Sequence, residues 1–142
     1  MLESLVNDEK FAGVMQESIR GVLSYFVEEQ KPFGVLCRVA NTSFEPPLPK
    51  DIVQNFSDVA LFVLAEYTLQ SATIKNDALV FEAGFGSENI GSEVSVELLG
   101  VAHIVVDEVP VFINVANPIK KDELENSMAS FLNNPENSKF FK

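Results

Sequence analysis

Ser57-Asp58-Val59-Ala60-Leu61-Phe62-Val63-Leu64-Ala65-Glu66-Tyr67-Thr68-Leu69-Gln70-Ser71-Ala72 is the stretch on which the fold turns. From Val59 to Ala65 it holds no polar residue, and then one carboxylate, Glu66, interrupts it. At helical spacing the neighbours of Glu66 are Val59, Phe62, Val63, Leu69 and Gln70. The stretch therefore reads as a helix apolar nearly all the way round, which in a soluble protein is one enclosed by the rest of the fold. Asn55 or Ser57 can cap it, and Asp58 falls in its first turn, near the positive end of the helix dipole. Lys75-Asn76-Asp77 is the exit turn.

Upstream, Phe11, Val14, Met15, Ile19, Val22, Leu23 and Phe26 recur at helical spacing and predict an amphipathic helix over 8–29, with Asn7 as its cap. Lys31-Pro32 stops it. Phe33 to Ala40 is rich in β-formers and predicts the first strand; the proline-studded run 41–49 reads as a stiff connector. Downstream, Leu79, Phe81, Ala83 and Phe85 alternate with Ala78, Val80, Glu82 and Gly84, which predicts a strand followed by a turn at 86–91. Ser92 to Val106 predicts a long strand or two, with Val94, Val96 and Leu98 on one face and a bend at Gly100. Asp107-Glu108 reads as a tight turn before a last strand, Val109 to Ala116. Past Asn117-Pro118, the spacing of Leu124, Met128, Phe131 and Leu132 predicts a short terminal helix.

The chain of 142 residues divides on this reading into an N-terminal helix (1–32), a main domain (33–117) and a C-terminal helix with a tail (118–142). Its formal net charge of −11, with only ten basic residues, argues against a nucleic-acid partner. No apolar run is long enough to span a bilayer, and residues 1–30 lack the features of a signal peptide. The expected location is the cytoplasm, with no membrane partner. A single cysteine, Cys37, excludes an internal disulfide and any multi-cysteine metal site, and no metal is expected.

The order of strand, proline loop, hydrophobic helix and consecutive antiparallel strands resembles the hot-dog fold, an α+β architecture in which a curled antiparallel sheet wraps a central hydrophobic helix. Ala60-Leu61-Phe62-Val63-Leu64-Ala65-Glu66 is similar to the "ALAE" helix of acyl-CoA thioesterases of that fold, and Leu79 to Val96 resembles the two strands after it. The resemblance covers about residues 33–117. Over its whole length the chain also resembles virulence-associated proteins of the same fold.

The resemblance implies a homodimer with a ligand tunnel at the subunit interface, and coenzyme A thioesters as ligand or substrate, with no further cofactor. It places Glu66 at the position of the catalytic carboxylate. The family's His-Gly-Gly falls on Ser57-Asp58-Val59, where none of it is present, and Asp58 sets a negative charge where the thioester oxygen would develop its own. Two functions follow as expectations. One is an acyl-CoA-binding protein, with thioesterase activity open. The other is a non-enzymatic regulatory or interaction module whose pocket is vestigial or senses a lipid.

Glu66 is then either a buried acid acting on the thioester or a structural carboxylate bonded to Gln70 or across a dimer. Asn55, with Gln54, could orient a carbonyl or a water, although a plain cap explains it too. The acyl chain is expected along Phe62, Phe81 and Phe85, beside Ser57 and Asp58, with Lys120 and Lys121 meeting the coenzyme A phosphates. His103 reads as a packed strand residue on the face of Val101 and Val105, and Cys37 as a small strand residue.

Overall fold

The computed structural model describes residues 1–117. Strand β1 (Phe33–Arg38) is the hub of the first sheet. It pairs antiparallel with β3 (Val59–Leu64) on one side and β7 (Val101–Val106) on the other, and β8 (Val109–Ile113) completes the order β3-β1-β7-β8. The second sheet runs β2-β6-β5-β4, from β2 (Thr42–Glu45) through β6 (Ile90–Glu97) and β5 (Ala78–Phe85) to the short β4 (Thr73–Lys75). All pairings are antiparallel. The described chain is thus α+β, as expected.

The central helix is not. Residues 59–64 are an edge strand of the first sheet, and helix forms only at α4 (Glu66–Ser71). A short apolar run does not by itself distinguish strand from buried helix. Here the β-branched Val59 and Val63, and a β1 partner matched residue for residue from Phe33↔Leu64 to Arg38↔Val59, favour the strand. Phe62 and Leu64 turn inward, whereas Val59, Leu61 and Val63 alternate outward. The inner faces of the two sheets share one core, with Val35, Cys37, Leu64 and Ile104 from the first and Leu79, Phe81, Val94 and Val96 from the second, and it includes Ile19 and Leu23 from the N-terminal helical segment.

The N-terminal helix is α2 (Glu9–Glu28), preceded by the unexpected short α1 (Leu2–Val6). Its cap is Asp8, whose carboxylate accepts from the Phe11 N–H at 2.8 Å. Asn7, the expected cap, instead bonds Glu3 and Asn117. Ile19 and Leu23 are fully buried, and α2 packs against β4 and the turn at 98–100.

The proline connector contains more structure than its composition suggested: a 3-10 turn (Val39–Asn41), strand β2 and the short α3 (Lys50–Val53). The chain crosses between the sheets four times, and two of the crossings are 3-10 turns, Val39–Asn41 and Leu98–Gly100. These two turns touch so closely that a Cβ on Gly100 would lie 2.6 Å from that of Asn41. The expected bend at Gly100 is this crossing. Asp107 and Glu108 form the β7–β8 hairpin with φ of 51° and 67°, the two left-handed residues of a turn whose twist suits a hairpin. The predicted C-terminal helix lies outside the described residues.

Candidate functional site

Two exposed surfaces stand out, one on the outer face of each sheet. On the first sheet, β3 presents Val59, Leu61 and Val63, the last 65% exposed. In register beside them, Gly34 and Leu36 follow on β1, Val105 and His103 on β7, and Ile113 on β8 opposite His103. Val111 adds a further apolar side chain on β8, 53% exposed, at the bulge between Ile104 and Val105. Along these rows Arg38 and His103 are the only polar side chains. Such a continuous apolar surface is unusual on a solvated sheet face, which normally alternates with polar residues.

Gly34 shapes it. A Cβ there would come within 2.8 Å of Val105 Cγ2 and 3.3 Å of Leu61 Cδ1, so glycine lets the neighbouring side chains close over the backbone. The result is a groove of about 530 Å³ floored by Phe33 and Gly34, walled by Leu61, Val63 and Val105, and rimmed at one end by Asp107 and Glu108.

The second sheet carries the opposite chemistry. Glu45, Glu93 and Glu82 stand directly opposite one another across β2, β6 and β5. They border an open groove of about 660 Å³ that also includes Pro46, Asn89 and Tyr67. The Tyr67 hydroxyl donates to Glu82, and this bond holds the phenol above its ordinary pKa. Among the described residues, no group of His, Cys, Asp or Glu is arranged to hold a metal ion.

The residues expected to form a thioester site are scattered. Glu66 begins α4, exposed and with φ of 52°, and is neither buried nor part of either groove. The reason is the strand: with 59–64 extended, Glu66 sits just beyond the sheet edge instead of on an enclosed helical face. Ser57 and Asp58 precede β3 rather than a helix, so no helix N-terminus faces them. The Ser57 hydroxyl donates to the Val59 carbonyl at 2.8 Å, and the Asp58 carbonyl accepts from the Val39 N–H. Asn55 follows α3, exposed, its side chain donating to the Asp51 carbonyl at 3.0 Å. Lys120 and Lys121 lie outside the described residues.

Phe62, Phe81 and Phe85 do come together. Phe62 lies 5.7 Å from Phe81 and 6.0 Å from Phe85 between ring centroids, and Phe44 and Phe56 join the cluster. The rings pack mainly edge to face, the arrangement aromatic quadrupoles prefer.

Cys37 is buried in β1, and burial pushes its thiol up to about 11, opposed by a contact with Thr42. His103 shares the outer face with Val105 as expected, but not with Val101. A register shift in the β1–β7 pairing after Leu36 turns Val101 into the core.

The apolar face escaped the sequence reading because its β3 residues were assigned to an enclosed helix. The signal that could have found it was Val59, Leu61 and Val63 in alternation.

The sequence matches no protein-family model, and no curated protein or solved structure matches it. No helix among the described residues is long and apolar enough to cross a membrane.

Proposed function

We propose that the protein is a non-enzymatic interaction module that docks an apolar, basic polypeptide segment on the outer face of the β3-β1-β7-β8 sheet. The observation that carries this reading is the predominantly apolar surface from Val63 and Leu61 across Leu36 and Val105 to Ile113, with His103 and Arg38 as its polar side chains, grooved at Gly34 and rimmed by Asp107 and Glu108. Burying such a surface drives association. The acidic rim, on a chain of net charge −11, favours a partner carrying lysine or arginine beside its apolar residues.

The probe is a fluorescein-labelled peptide of alternating leucine and lysine, about nine residues long, enough to cross a sheet of this size. Its anisotropy should rise on titration with the protein, and an alternating glycine–lysine peptide should bind at least tenfold more weakly. Equal binding of the two would reduce the interaction to charge and contradict the reading.

A second reading keeps the hot-dog resemblance: an acyl-CoA-binding homodimer, regulatory or hydrolytic. What supports it is the convergence of Phe62, Phe81 and Phe85, the three aromatics assigned to the acyl chain. Its test is heating the protein with palmitoyl-CoA, together with an assay of thioester hydrolysis by the wild type and Glu66→Gln. A raised Tm, or turnover lost in the variant, supports this reading. An unchanged Tm together with no hydrolysis would contradict it.

A further inference from the structure

Each antiparallel sheet has two edges, and exposed edges are normally blunted because their free N–H and C=O groups recruit other strands. Three of the four edges here are protected. β8 carries Pro110 and a register shift, β2 is four residues long and runs into Pro46-Pro47, and β4 is three residues long with α2 packed against it. Among the described residues, β3 shows none of these devices. It holds six residues without proline, glycine or charge, and its register with β1 is unbroken.

The hydrogen-bond phase of β3 is set by the Val39 N–H donating to the Asp58 carbonyl at 2.9 Å. Antiparallel pairs alternate between bonded and non-bonded positions, so Ala60, Phe62 and Leu64 direct their backbone groups at β1. Those of Val59, Leu61 and Val63 point off the open edge.

We infer that β3 pairs antiparallel with β3 of a second copy of this chain, on a two-fold axis through Leu61, joining the two four-stranded sheets into one of eight strands. In this register Leu61 faces Leu61 of the partner subunit and Val59 faces Val63 of the partner subunit, so every paired residue keeps its own side of the sheet. All three pairs fall at bonding positions, giving about six new backbone hydrogen bonds. The paired segment carries no charge, so two chains of net charge −11 can meet along it. Of the neighbouring registers that preserve the faces, an axis at Phe62 would bring Asp58 opposite Glu66 of the partner subunit, a like-charge pair that disfavours it. An axis at Ala60 would set Val63 opposite Ser57 of the partner subunit, outside the strand, so that only the Val59 and Leu61 positions bond within β3. Pairing would also double the width of the apolar face. It goes beyond the docking reading, because the backbone edge carries it and not the face.

Sedimentation equilibrium of the full chain tests it. The expected mass is twice 15.7 kDa, falling to the monomer on dilution. Leu61→Pro removes an N–H that does not bond β1, and Leu61→Lys adds a charge at the axis; each should weaken the dimer at least tenfold, whereas Val111→Lys on β8 should leave it intact. Should proline disturb folding, hydrogen exchange on the wild type supplies the answer: the Leu61 and Val63 amides should be protected in the dimer and exchange freely in the monomer. A monomer at all concentrations, a dimer with those amides unprotected, or the same amides protected in a monomer would each overturn the inference. Peptide binding by a monomer would remove this inference alone, and a dimer that ignores the peptide would remove the docking reading alone.

Discussion

Cys37 shows how burial sets reactivity at a single residue. Its thiol is enclosed between the sheets, within 3.6 Å of the Thr42 hydroxyl and the Ala60 carbonyl, and is pushed from an ordinary 9.0 up to about 11. The folded chain holds this proton more tightly than the unfolded chain does. Its contribution to stability is therefore complete below about pH 9 and is lost as the pH rises through about 11. Urea midpoints should fall over that window, and Cys37→Ala should flatten the fall. The native thiol should also resist a disulfide reagent at pH 8 and react at once in denaturant. The row Glu45, Glu93 and Glu82 makes the opposite prediction, because like charges directly opposite on adjacent strands are unfavourable. Glu93→Gln should raise the unfolding free energy by roughly 0.5 kcal/mol, read as a higher urea midpoint, and added salt should narrow the difference. Glu66 is exposed, so Glu66→Gln should change stability by less than about 0.5 kcal/mol.

At the scale of elements, the strands with one apolar and one polar face were legible. β5 buries Leu79 and Phe81, and β6 buries Val94 and Val96, as their alternation implied. The amphipathic helix was legible too, with an error of one residue in its cap. There Leu23→Ala should cost about 2–5 kcal/mol in chemical denaturation, because Leu23 is fully buried against the sheets. Asp8→Ala should cost about 1 kcal/mol through loss of the cap. β3 was not legible as a strand, since a strand apolar on both faces has no period to distinguish it from an enclosed helix. That one reassignment moved Glu66 to the surface and removed the helix N-terminus expected at Ser57 and Asp58. Of the expected site only Phe62, Phe81 and Phe85 came together, at inward strand positions that meet at the core. β2 went unseen because its pairing with β6 depends on a partner some fifty residues away in sequence.

At the scale of the molecule, charge and apolar surface are separated. Glu45, Glu82 and Glu93 gather on the outer face of one sheet, while the other outer face is nearly free of charge and dominated by Val, Leu and Ile. That division gives the protein one surface suited to association. The most direct measurement compares the leucine–lysine peptide on three proteins: wild type, Leu36→Asp at the centre of the apolar face, and Glu93→Gln on the opposite sheet. The account predicts that Leu36→Asp loses at least tenfold in affinity, about 1.4 kcal/mol, while Glu93→Gln binds as the wild type does. Undiminished binding by Leu36→Asp, or a loss confined to Glu93→Gln, would place the contact surface elsewhere and contradict it.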